Sequence, residues 1–240
     1  MHVLQVAAVF GRERRDVLRD LLHHQRVGLR RDVPAAETFR QGDDAKRDRH
    51  PRLDPRRGVR LGRIALDPDQ PDATPRIKAW MSIPLGVVTL AEHFGGRNVT
   101  KESYALMVQE VAQYIAPFAA EYGGDLRDMH LLGTSGTVTT LAGVHLNLAR
   151  YDRRRVDGVW MSDADITATV ARLLGMSYQE RANNNCISVE RADLVLAGCA
   201  ILDAIRTAFP LPRLRVADRG LREGMLVEMM REDGALGGRR

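Results

Sequence analysis

The chain has 240 residues, 44% of them hydrophobic and 28% charged, with a formal net charge of +5 and a pI near 9.6. That content can bury a core in one large domain or two small ones. No apolar run approaches the roughly 18 to 20 residues of a membrane span, and the longest, Leu194 to Leu202, is interrupted by Gly198. Met1 to Phe10 has no basic lead-in and no small-residue cleavage site, so it does not read as a signal peptide and the expected address is the cytoplasm. Cys186 and Cys199 are too few for a metal cluster and read as buried thiols. The basic balance points to an anionic partner: nucleic acid, a phosphorylated metabolite or polyphosphate.

Residues 1–75 hold 15 Arg, one Lys, no Trp or Tyr and six of the ten Pro. Both Trp and all five Tyr lie beyond them, which sets a domain boundary near residue 75. Arg12 to Arg19 and Arg47 to Arg63 are candidate phosphate contacts of a nucleic-acid-binding arm. Interleaved acids and the absence of stacking aromatics make that the weaker reading. The segment can be disordered, and its Arg, Pro, Ala and Gly content is also what out-of-frame reading of a GC-rich gene yields. One helix is expected at Arg14 to Leu22, and His23 and His24 lack ligand partners, so no metal site is assigned.

From Arg76 the pattern is clean. Alternation over Arg76 to Ile83 predicts a strand with Ile77, Ala79, Met81 and Ile83 on one face, ended by Pro84. Leu85 to Phe94 reads as a short helix stopped by Gly95 and Gly96. Thr100 caps the next, whose stripe is Leu106, Met107, Val111, Ile115 and Phe118, with Pro117 in its final turn and Gly123 and Gly124 as its stop. Met129 to Leu132 is a short buried strand.

It runs into Gly133, Thr134, Ser135, Gly136 and Thr137, then into a helical pattern of Val138, Leu141, Val144, His145 and Leu148. A strand entering a small-residue turn and then a helix aims unpaired backbone N–H groups and the positive dipole end at one spot. Glycines let an anion approach the backbone, and Thr and Ser hydroxyls can add hydrogen bonds. A tight turn capped for structural reasons alone has the same pattern, and the lysine of a Walker motif is missing.

Arg153 to Arg155 reads as a solvated connector with anion contact as the alternative, Val159 to Met161 as a strand, and Ser162 or Asp163 as the cap of a helix carrying Ile166, Val170 and Leu173. A long helix is expected from Ser188 to Phe209, its stripe Val189, Leu194, Ala197, Ile201, Ile205 and Phe209, ended by Pro210 and Pro212. Arg191 in its first turn opposes the dipole, so it grips either a phosphate or a carboxylate such as Glu190. Leu214 to Ala217 is another buried strand. It delivers Asp218, Arg219 and Gly220 to a helix with Leu221, Met225, Leu226 and Met229, its methionines read as core and helix-face residues. Two such turns make an α/β layout whose loops converge at the strand ends.

Three stretches, His130-Leu-Leu-Gly-Thr-Ser-Gly-Thr-Val-Thr-Thr-Leu-Ala, Glu190-Arg-Ala-Asp-Leu-Val-Leu-Ala-Gly and Arg215-Val-Ala-Asp-Arg-Gly-Leu-Arg-Glu-Gly, resemble the Ppx/GppA phosphatases in order and spacing, and Ser82-Ile-Pro-Leu-Gly-Val-Val adds to the likeness. The resemblance covers residues 76–240. It implies the ribonuclease-H-like second domain of the actin-like, sugar-kinase-like ATPase superfamily, preceded here by the Arg-rich segment. It also implies hydrolysis of phosphoanhydride bonds in polyphosphate or guanosine pentaphosphate, usually with magnesium, and a possible homodimer. Gly133, Thr134, Ser135, Gly136, Thr137 and Arg191 would hold phosphate, with Asp218, Arg219 and Gly220 shaping the far wall. The family's first-domain glycine loops and its water-activating glutamate have no counterpart here, so no catalytic residue is assigned. Weak or absent activity of this chain alone is expected, and a non-catalytic phosphate-binding or partner-binding half-enzyme is the alternative.

Overall fold

The structure is a computed structural model that describes residues 2–8, 59–65, 76–219 and 221–233. The chain divides into two compact units, Met1–Val9 with Asp54–Arg240 and Phe10–Leu53, and every described residue belongs to the first. The helix expected at Arg14 to Leu22, the His23 and His24 pair and Gly220 lie outside the described residues.

Six strands form one sheet, in the order β3-β2-β1-β4-β6-β5. They are β1 (His2–Ala8), β2 (Val59–Ala65), β3 (Arg76–Ser82), β4 (Met129–Gly133), β5 (Trp160–Ser162) and β6 (Arg213–Val216). β1, β2 and β3 are antiparallel neighbours, β4 runs parallel to both β1 and β6, and β5 closes the far edge antiparallel to β6. An antiparallel triplet extended by parallel strands is the expected ribonuclease-H-like plan. Two of its strands lie before residue 75. Their pairing is non-local: Ala8 opposes Val59, and Leu4 opposes Leu131. Local periodicity carries no signal of that kind.

β3 departs from the expected pattern. Ala79 and Ile83 are buried, but Ile77 is 52% exposed. The register shifts between Arg63 and Ile64, so that Ala79 opposes Arg63 while Ile77 opposes Ile64 and Lys78 is the extra residue. A bulge of this kind turns the following side chain to the other face. The strand ends at Ser82, ahead of Pro84 as expected, and a further backbone bond, from Val59 N to Leu85 O at 3.0 Å, lies beyond the proline.

The helices are α1 (Val87–Phe94), α2 (Lys101–Tyr122), α3 (Gly136–His145), α4 (Arg153–Val156), α5 (Asp163–Gly175), α6 (Tyr178–Ala182), α7 (Val195–Ala208) and α8 (Leu221–Glu232). α2 starts at a capping box between Thr100 and Ser103, and α5 at one between Ser162 and Asp165, each satisfying N–H groups the helix leaves free. The buried stripe of α2 is Tyr104, Met107, Val111, Ile115 and Phe118, with Leu106 51% exposed instead of inside. It packs on α7, where Tyr104 donates its hydroxyl to Asp203 at 2.6 Å. Leu131, Leu141, Leu173, Ile205 and Leu214 are all sealed in the same core, each worth roughly 1.5–3 kcal/mol of burial. Cys186 and Cys199 are buried free thiols. On α8, Leu226, Met229 and Met230 are 59%, 55% and 41% exposed, so these residues are not core. Among the described residues, no helix is long and apolar enough to cross a membrane.

The helix expected from Ser188 is two elements. A single 3-10 turn spans Val189–Arg191, and α7 begins only at Val195. Ser188 sits at φ 67, in the left-handed region, and offers no side-chain cap. The Ala192 carbonyl, which a continuous helix would use internally, accepts from the Arg181 guanidinium at 3.0 Å. Val189 is therefore outside the stripe and 60% exposed.

Candidate functional site

β4 and β6 are parallel neighbours in register, Gly133 opposite Val216, and Ala217 N donates to Gly133 O at 2.8 Å. Both therefore leave the sheet at the same end, and both are followed by helices, α3 and α8. The Gly133 to Thr137 turn and the loop from Ala217 to Arg219 thus start side by side, as the sequence suggested.

The turn into α3 is packed too tightly for larger residues at two positions. A Cβ on Gly133 would lie 2.6 Å from Val138 Cγ1, so only glycine lets the first turn of α3 fold back on the end of β4. A Cβ on Gly198 of α7 would lie 2.2 Å from Thr137 Oγ1, so the Thr137 side chain rests directly on the α7 backbone. Ser135 is buried and caps the helix, its hydroxyl accepting from Val138 N at 3.3 Å. The Ser135 and Thr137 side chains are thus used in building the turn. The first intrahelical bond runs from Thr139 N to Ser135 O at 3.1 Å. The N–H groups of Gly136 and Thr137 precede it, and these are the groups a helix start turns outward.

Arg191 arrives at this point from the 3-10 turn. Its Nη1 lies 3.3 Å from where a Gly136 Cβ would stand, and it faces Thr140 Oγ1 at 3.5 Å. Among the described residues no carboxylate forms an ion pair with it. Glu190 is held below the usual carboxylate range by hydrogen bonds from Ser188 and from its own backbone N–H first, with Arg191 contributing last. Among the described residues the alternative Arg191 to Glu190 bridge is not formed, and the guanidinium faces Thr140 Oγ1 instead. An exposed guanidinium stacked on a glycine at a helix N-terminus combines a bidentate donor, backbone donors and a dipole, all favouring an anion.

The second turn is different. Asp218 accepts from the Tyr151 hydroxyl at 2.7 Å and pairs with Arg153 Nε at 3.3 Å. Arg219 Nε binds Asp157 Oδ2 at 2.9 Å, and Asp218 N donates to Asp157 Oδ1 at 3.0 Å. Arg219 holds the Asp157 carboxyl below its ordinary range, and burial followed by the bond to Asp218 pushes the Tyr151 hydroxyl up to about 12. Tyr151 and Asp157 were not singled out in the sequence, since nothing in their spacing ties them to residues more than sixty positions on. Arg153 is braced to Asp218, while Arg154 and Arg155 stay exposed. Among the described residues no group of three or more His, Cys, Asp or Glu side chains is placed to hold a metal.

The profile of the Ppx/GppA phosphatase family matches residues 74–233. A Haemophilus influenzae protein that bears an exopolyphosphatase name is 26% identical over 147 residues, covering 60% of this chain and 43% of that protein. The crystal structure of the Aquifex aeolicus Ppx/GppA family member superposes with a TM-score of 0.58 at 23% identity, over 73% of this chain and 54% of its own. That of an exopolyphosphatase from Cytophaga hutchinsonii gives 0.60 at 18% identity, over 73% and 55%. The chain spans about half the length of the relatives it matches. The fold, the motif order and the profile match agree: this chain belongs to the Ppx/GppA phosphatase family.

Proposed function

We propose that the chain carries the phosphate-gripping part of a phosphoanhydride hydrolase, with the terminal phosphate of polyphosphate or guanosine pentaphosphate held at the N-terminus of α3. The observation that carries this reading is the Arg191 guanidinium against Gly136, paired with no carboxylate among the described residues and set beside the outward N–H groups of that helix. Phosphoryl transfer is catalysed mainly by positioning and charge stabilisation, which such a set supplies. Relatives named as exopolyphosphatases make polyphosphate the first substrate to try. Asp218 and Arg219 would shape the neighbouring wall through their own network rather than by gripping substrate.

Magnesium is the ion that this chemistry commonly uses. The described residues offer no carboxylate cluster to hold it, so no step is drawn through one and no residue is assigned as the base. Because the chain covers 54% of the Aquifex structure, binding without turnover is the second reading. The test is phosphate release from tripolyphosphate and from guanosine pentaphosphate with magnesium, alongside binding of each by calorimetry. Release supports hydrolysis by this chain, binding alone supports the half-enzyme, and neither from folded protein sinks both.

A further inference from the structure

Arg181 is the most deeply buried cation among the described residues, 2% exposed, and no carboxylate among them pairs with it. Its guanidinium is satisfied by main-chain carbonyls alone: Nε donates to Ala192 O at 3.0 Å, Nη1 to Met176 O at 2.7 Å, and Nη2 to Arg97 O at 2.8 Å and Gly96 O at 3.3 Å. Those carbonyls come from the end of α5, the loop between α1 and α2, and the turn before α7. Burial lowers its pKa from the ordinary value, yet a guanidinium stays charged, and a planar fork of five donors can reach three segments at once.

A second contact fixes the same place. A Cβ on Gly96 would lie 2.1 Å from Asp193 O, so the α1–α2 loop is pressed against the turn that Arg181 holds from inside. The two supports act on Ala192 and Asp193, the residues that follow Arg191. A buried polar network satisfied in this way locks one conformation, whereas a partly satisfied one would not form.

We propose that Arg181 is a positioning residue for Arg191: by holding the Ala192 carbonyl it fixes the turn that presents the Arg191 guanidinium to the first turn of α3. This rests on the reading of α3 as the phosphate site. Arg181 itself is sealed from any substrate.

The test is calorimetric titration of the full chain with inorganic tripolyphosphate, for the wild type, Arg181→Lys, Arg191→Lys and the double variant. Lysine keeps the charge but cannot span the carbonyls. Arg181→Lys is expected to weaken binding about tenfold, and to add less than about twofold once Arg191 is already lysine, because it acts through that residue. Unchanged affinity in Arg181→Lys, or losses that simply add, would overturn the proposal. Should that variant fail to fold, Gly96→Ala disturbs the same turn by pressing a methyl on Asp193 O and must show the same non-additivity. Amide hydrogen exchange on the same samples reads the turn without any ligand. Exchange at Ser188 to Asp193 must rise in Arg181→Lys or Gly96→Ala more than in the middle of α2, and equal rises contradict the inference. A wild-type chain that binds no tripolyphosphate refutes the α3 site instead, and the exchange result then decides the role of Arg181 alone.

Discussion

Two parallel strands, β4 and β6, end side by side and each is followed by a helix, but the two turns use their polar residues differently. At the first, the side chains of Ser135 and Thr137 are consumed in building the turn and the cation comes from elsewhere, as an Arg191 that pairs with no carboxylate among the described residues. At the second, Asp218 and Arg219 are bonded to Tyr151, Arg153 and Asp157. A charge already paired has little left to offer a ligand, and an unpaired one beside outward N–H groups has much. On the proposed reading, the first turn receives an anion and the second braces the wall next to it.

The largest disturbance is expected at the backbone contact that supports the first turn. Gly198→Ala drives a methyl to 2.2 Å from Thr137 Oγ1, and should cost about 2–3 kcal/mol in chemical denaturation as an overpacked core site. Gly136→Ala meets only the flexible tip of Arg191 at 3.3 Å. Its stability should match the wild type or rise by up to about 1 kcal/mol, as alanine favours a helix, while tripolyphosphate affinity falls because the guanidinium is displaced. Loss of stability in both variants would show that the turn is uniformly packed and has no open side.

At the second turn the expected effects fall on stability, not on binding. Asp157→Asn should cost about 1 kcal/mol, the worth of charge-assisted bonds on a partly exposed network, and leave tripolyphosphate affinity within about twofold. The folded-state pKa of Asp157 is depressed by Arg219, so its contribution is present above the ordinary carboxylate range and lost as pH falls through the lowered pKa. The same Asp157→Asn variant should accordingly flatten part of the acid limb of a denaturation profile.

A smaller pH effect belongs to His130, buried beside Trp160 with ring centroids 4.8 Å apart. Burial first, then Arg213 and Arg215, lowers its pKa. The unfolded chain takes up the proton before the folded one does, so the stabilisation is present above the ordinary imidazole range and fades as pH falls through that range towards the lowered pKa. His130→Gln should remove that part of the slope when melting temperature is followed against pH. An unchanged slope would place it elsewhere.

What could be read from the residues themselves was what is local. The Thr100 and Ser162 caps, the strand-turn-helix at Gly133 and the α7 stripe of Ala197, Ile201 and Ile205 rest on neighbours within a few positions, and all stand as expected. The misses are non-local. β1 needs partners at Val59 and Met129 to be a strand, and the bulge that exposes Ile77 depends on β2. The break before α7 depends on Arg181, which takes the Ala192 carbonyl out of the helix. Arg191 stood out because a cation in the first turn of the expected helix would be costly; the geometry puts it in a 3-10 turn ahead of α7 and shows no bridge to Glu190.

The claim that the two turns have opposite roles is tested most directly by titrating tripolyphosphate into Arg191→Ala and Arg219→Ala in parallel by calorimetry. The predicted loss is about tenfold or more for Arg191→Ala, the worth of a bidentate charge-assisted pair, and less than about twofold for Arg219→Ala. Equal losses at the two positions, or a larger loss at Arg219, would contradict it.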